Sequence, residues 1–214
     1  MSAGWTAAKD RRAIFADAYG RMTAAMVDAT TTTQFVDPEW VRRLLDRFAD
    51  YYFVAVDAHD HGSDQCPAAW SRAFDACALD DQHPLQVLFL GINAHINYDL
   101  VFALADVMED WPELGGAHRS NRRADHDAVN VVIARTIDEV QEEVVSLWSP
   151  GMASLDVLAG RVDEWVFSRL IADWRATVWD DAIRLLESPR SDRGPVVNAV
   201  VARAERMARI VAAF

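Results

Sequence analysis

GINAHINYDL (Gly91–Leu100) places a histidine, two asparagines and an aspartate inside a mostly apolar run extending from Pro84 to about Asp110. At roughly 100° per residue, the side chains of Leu88, Phe89, Leu90, Ile92, Ile96, Leu100, Val101, Phe102 and Leu104 point in every direction. A helix that is apolar all round is a buried one, so this stretch is expected to be the central helix of the fold. Its polar groups are then buried with it. His95 and Asp99 fall one turn apart on one side, and Asn93 and Asn97 one turn apart on nearly the opposite side. An unpartnered buried amide or hydroxyl costs about 1 to 3 kcal/mol, and an unpaired charge more, so neighbouring helices must supply partners.

Outward from this helix, apolar residues recur at i, i+3 and i+4 almost everywhere, with little strand-like alternation and no repeat of fixed period. A first amphipathic helix is expected from Ala7 to Ala29, stopped by the β-branched tract Thr30 to Thr33. Asp37 as N-cap and Pro38 at the first helical position open a second, which carries Trp40, Leu44, Phe48, Tyr51 and Ala55 on one face and ends near Gly62. A short helix follows from about Pro67 to Leu79, with Trp70 and Phe74 one turn apart. Beyond the central helix, Pro112, Gly115 and Gly116 mark a loop. Val129, Val132, Ile133, Thr136, Val140, Val144 and Leu147 then form a helical stripe that Ser149, Pro150 and Gly151 end. Helix resumes from about Ser154 to Glu187, interrupted near Gly160, and a last one from around Pro195 carries Val197, Val200, Val201, Ala204 and Ala208. The fold class these readings give is all-α: one domain over residues 1–214, a compact, mostly antiparallel bundle of about seven helices around the buried Pro84 to Asp110 helix.

The 214 residues suffice for a substantial core without staples, and 51% hydrophobic with 25% charged residues describes an ordinary globular chain. A net charge of −12 repels a phosphate backbone, so nucleic acid is not expected as a partner. Cys66 and Cys77 sit in neither a CxxC nor a His-rich setting, which signals no disulfide framework and fits a reducing cytoplasm. No signal-like segment opens the sequence and no window reaches eighteen uninterrupted apolar residues, so no membrane span is expected. The valine-rich last helix can complete the bundle or carry a homodimer interface.

Arg122, Asp125 and His126 extend the apolar stripe of their helix, and Arg175 falls inside the arc of Ile171, Trp174, Val178 and Trp179. A guanidinium there needs a carboxylate, with Asp99 or Asp125 the natural candidates. The expectation is that His95, Asp99, Asp125, His126 and Arg175 converge in one polar pocket. A buried polar network can also do no more than lock helix register.

GINAHINYDL, with DPEW at 37–40, FADYYF at 48–53, PAAWSRAF at 67–74, RRADHDAVN at 122–130 and RATVWDDA at 175–182, resembles the bacterial family known as domain of unknown function 5995. The resemblance spans roughly Phe35 to Ala182 and implies a helical single domain with these positions as its signature. It carries no reaction across.

The residue types favour metal-free acid and base catalysis on a small organic molecule, of isomerisation, cyclisation or lyase type. His95 would be the acid or base, Asp99 or Asp125 would orient it or share its proton, and Arg175 would hold an anionic group or developing negative charge. Asn93, Asn97, Tyr98 and His126 are expected to contact substrate, with Trp40, Tyr52, Trp70 and Trp179 as aromatic walls suited to a hydrophobic or cationic group. A metal hydrolase is the second reading. His95 and Asp99, at HxxxD spacing on one helix face, would hold a single divalent ion with Asp125 and His126. The third is a non-catalytic binder, or an interaction bundle, that fixes a small ligand in an apolar pocket.

Overall fold

The computed structural model describes residues 2–32, 34–79, 81–148 and 164–213. Among them every regular element is helical: α1 (Ser2–Ala7), α2 (Arg12–Ala29), α3 (Pro38–Asp60), α4 (Ala68–Cys77), α5 (Pro84–Asn93), a π-helical turn (Ala94–Asp99), α6 (Leu100–Val107), a 3-10 turn (Trp111–Glu113), α7 (Gly116–Trp148), α8 (Glu164–Glu187), a 3-10 turn (Arg190–Asp192) and α9 (Gly194–Ala212). The expected helix end at Ser149, Pro150 and Gly151, the start near Ser154, the break near Gly160 and the side chains of Val140 and Val144 lie outside the described residues.

Local chemistry accounts for most boundaries. Asp37 Oδ1 accepts the amide of Trp40 at 2.9 Å and Pro38 opens α3 as expected, and Gly62 at φ 62° closes it just beyond Asp60. The hydroxyls of Thr30, Thr31 and Thr32 donate to the carbonyls of Val27, Asp28 and Ala29 at 2.7, 2.7 and 2.8 Å, satisfying the last turn of α2. At the other end the expected start at Ala7 is displaced. The chain breaks at Lys9, with φ 56°, and Asp10 Oδ1 accepts the amide of Arg12 at 2.9 Å, so α1 and α2 are separate helices. His83 caps α5, its Nδ1 accepting from the Leu85 amide at 3.2 Å while Gln86 Oε1 accepts from the His83 amide at 3.0 Å.

Pro84–Val107, with a mean hydropathy of 1.5, is long and apolar enough to cross a membrane by length and composition, and its window is 72% buried within the bundle. It is the central helix, contacted by α2, α3, α4, α8 and α9, while α7 lies across α2 and α8. One apolar core gathers residues such as Leu104, Val132, Ile133, Ile171 and Val178 around α6, α7 and α8. A second gathers Ile14, Phe15, Ala73, Val87, Leu90 and Ala204 around α2, α4, α5 and α9. Leu147, on the expected stripe of α7, is exposed.

Candidate functional site

The Ala94–Asp99 segment closes i→i+5 hydrogen bonds, a rare widened turn that is frequent at functional sites. In an ordinary helix residues four apart are offset by about 40°, and the wider turn reduces that offset and brings i and i+4 more nearly into line. His95 Nδ1 accordingly lies 2.9 Å from Asp99 Oδ2, with both residues buried. The same Asp99 oxygen accepts the indole N–H of Trp70, from α4, at 2.8 Å. Asp99 Oδ1 and His95 Nε2 are buried with no hydrogen-bond partner. The imidazole is stacked on Phe48 at 3.5 Å between centroids and met edge-on by Tyr19 at 4.6 Å.

Burial drives both members of this pair towards neutrality. It holds the His95 ring well below its ordinary value, and it raises the Asp99 carboxyl well above the carboxylate range although the Trp70 indole pulls the other way. The pair therefore behaves as one titrating unit that prefers zero net charge. In that state, with one proton shared between Nδ1 and Oδ2, Nε2 carries a hydrogen. Loss of a proton leaves a carboxylate facing Nδ1–H and a free lone pair on Nε2.

His95 lines an apolar cavity of about 140 Å³ bounded by α2, α3, the central helix, α7 and α8. Its aromatic wall is made by Phe15, Tyr19, Phe48, Phe89 and Phe167, and none of the expected Trp40, Tyr52, Trp70 or Trp179 borders it. Trp40 is fully buried beneath the Arg122 guanidinium, Trp179 packs on Trp111 and His126, and Tyr52 and Trp70 form a second layer behind Phe15. The contribution of α2 to this wall is not announced by the polar pattern of the chain. Phe15, Ala18, Tyr19, Met22 and Met26 recur at helical spacing, which was the available signal. Burial, first of all, pushes the Tyr19 phenol up to about 12, so it remains a donor at neutral pH. Thr23, close enough to favour ionisation of that phenol slightly, also lines the cavity, and neither hydroxyl makes a hydrogen bond of good geometry.

Arg175 borders the same cavity and is buried, but its partners are not the expected carboxylates. Nε donates to Asn130 Oδ1 at 2.8 Å, and Nη2 donates to the His126 carbonyl at 2.7 Å and lies 3.3 Å from His126 Nδ1. His126 Nε2 in turn donates to the Arg175 carbonyl at 3.1 Å, which leaves Nδ1 as the acceptor towards the guanidinium. Asp125 faces elsewhere. Its two oxygens accept the amides of Val36 and Asp37 at 2.6 and 2.8 Å, fastening the start of α3 to α7. The five expected groups thus form three separate arrangements, because α8 presents Arg175 to α7 while the Asp99 carboxylate faces α4. Only His95 and Arg175 of the five reach the cavity.

The asparagines serve the fold. Asn93 Nδ2 donates to the Ala204 carbonyl at 2.9 Å and Asn97 Nδ2 to Asn93 Oδ1 at 3.0 Å, docking α9 on the central helix. Arg203 adds a bond to the Asn97 carbonyl at 3.3 Å and an ion pair with the buried Asp181. Tyr98 packs on Phe102, away from the cavity. His118 is exposed in the first turn of α7. Among the described residues no three His, Cys, Asp or Glu side chains gather in a metal-binding group, so the alternative set of His95, Asp99, Asp125 and His126 is not assembled. Cys66 and Cys77 are free thiols, and burial pushes Cys77 up to about 12.

Fold and site together define an all-helical protein whose central helix buries an imidazole–carboxylate pair beside an apolar cavity. The chain belongs to the family described as Family of unknown function (DUF5995), which matches it over residues 1–214. No curated protein and no solved structure matches the chain.

Proposed function

We propose that this protein is an enzyme that moves protons on a small, largely apolar molecule held in the cavity beside His95, using side chains for acid and base chemistry. The observation that carries this reading is a histidine whose Nδ1 is fixed by a buried carboxylate and whose Nε2 is left without a partner. An unpartnered buried nitrogen costs about 1 to 3 kcal/mol, a cost that a ligand atom bonded to Nε2 would offset. In the net-neutral state Nε2–H is the acid. As it gives its proton to substrate, the proton shared with Asp99 settles on Nδ1, and Asp99 is left as the carboxylate. The free Nε2 then removes a proton from a second position of the substrate, which restores the starting state and completes an isomerisation, cyclisation or elimination. Tyr19 and Thr23 also line the cavity, and both hydroxyls are buried without a hydrogen-bond partner.

A non-catalytic binder is the second reading, favoured by the nearly continuous apolar wall. One experiment separates the two. Apolar small molecules that co-purify with the protein are identified by mass spectrometry and incubated with wild type and His95→Gln. Conversion by wild type about a hundredfold faster than by His95→Gln supports catalysis. Retention of the ligand unchanged by both proteins supports the binder.

A further inference from the structure

Arg175 has an unusual setting for a buried cation. It is 4% exposed, and every acceptor it meets is neutral: an asparagine oxygen, a backbone carbonyl and a histidine nitrogen. Among the described residues no carboxylate lies within ion-pair distance of it, and Nη1 makes no hydrogen bond. The charge of Asp127 favours the guanidinium from outside ion-pair distance, but that carboxylate is half-exposed and pairs with Arg123 at 2.9 Å, and Asp125 is committed to the amides of Val36 and Asp37. A buried charge without a counter-ion is strongly unfavourable, and burial lowers the guanidinium to about 10, where it still carries its charge at neutral pH. The side chain is held in place from α7 and also borders the cavity that His95 lines, yet no hydrogen bond joins the two. A charge held in place with unspent bonding capacity at the wall of an apolar cavity is a preorganised anchor.

We infer that the cavity takes a monoanionic amphiphile, an apolar body ending in a carboxylate, with the carboxylate on Arg175 and the body lying along Phe89, Ile133 and Ile171 towards His95. This rests on the reading of the cavity as a ligand site. One guanidinium with one uncommitted Nη1 suits a single negative charge, because a dianion would lose far more hydration on entering apolar walls. A carboxylate oxygen can accept a charge-assisted hydrogen bond from Nη1, and a cationic head group would be repelled. The apolar remainder of the wall selects a hydrocarbon body of modest size, since a dry cavity of this order takes a small apolar guest.

The test is calorimetric, with octanoate, 1-octanol and octylamine as probes against wild type, Arg175→Lys and Arg175→Met. Octanoate is expected to bind wild type about tenfold or more tighter than 1-octanol, with octylamine weakest. Arg175→Met should bind 1-octanol as before and lose the preference for octanoate, and Arg175→Lys should keep part of it. Equal affinity of wild type for octanoate and 1-octanol, or an undiminished preference in Arg175→Met, overturns this inference and leaves the cavity reading standing. Failure of every probe to bind wild type overturns both. Should Arg175→Met not fold, a reduced or abolished preference in Arg175→Lys supports the contact, and an undiminished preference there overturns it.

Discussion

Gly91 faces Phe15 so closely that a β-carbon at position 91 would stand 2.5 Å from Cδ2 and 2.7 Å from Cγ of the ring. The absence of a side chain there is what lets α2 lie against the central helix and place Phe15 and Tyr19 beside His95, with ring centroids 5.7 and 4.6 Å away. Gly91→Ala is therefore expected to destabilise the fold by about 1 to 3 kcal/mol, through overpacking. In thermal denaturation that is a loss of several degrees, and Phe15→Leu in the same chain should restore part of it. An unchanged melting temperature for Gly91→Ala would mean that the ring moves aside without cost.

Trp70 holds Asp99 partly against the rise that burial imposes. Trp70→Phe removes that bond, and the pH at which the pair gives up a proton should move upward. Histidine resonances followed by NMR across the titration report it without need of a substrate. A downward move would contradict the assigned role of the indole. Because the folded carboxyl keeps its proton to higher pH than the unfolded one, Asp99 favours folding at acid pH, and that contribution is lost as pH rises through the folded value. Asp99→Asn should remove this dependence from the stability curve.

His126 has the opposite sign. Burial first, and then the charge of Arg175, hold it well below 6.5, so it stays neutral in the fold while the unfolded chain takes up a proton. The stability it contributes is present above pH 6.5 and is lost as pH falls below that value towards the folded one. Protonation would also set an N–H on Nδ1 against the guanidinium 3.3 Å away. In His126→Gln the acid limb of the stability profile should be shallower, as read from urea midpoints at a series of pH values. An acid limb as steep as that of wild type would place the sensitivity elsewhere.

Asn93 is expected to matter for stability and not for ligands. Asn93→Leu leaves the Ala204 carbonyl and Asn97 Nδ2 without their partners, at a cost of about 1 to 3 kcal/mol in chemical denaturation. Octanoate affinity should stay within the error of wild type, because neither asparagine borders the cavity. A specific loss of affinity would return the asparagines to the site.

The parts of this protein legible in its sequence are those set by neighbours along the chain. The cap at Asp37 and Pro38, the burial of the Pro84 helix and the pairing of His95 with Asp99 each depend on spacings of four residues or fewer, or on one helical period. Even the π-helical turn, which the pattern does not announce, preserves that pairing. The choice of partner over long distances was not legible. Asp125 and Asp99 were equally plausible for Arg175, yet the guanidinium meets Asn130 and His126, the asparagines meet α9, and the cavity wall comes from phenylalanines on four elements instead of the tryptophans. A polar side chain in an apolar stripe announces that it must be satisfied, but any donor or acceptor of suitable reach satisfies it. Only the angles at which α7, α8 and α9 cross the central helix decide which one arrives, and those same crossings leave the space beside His95.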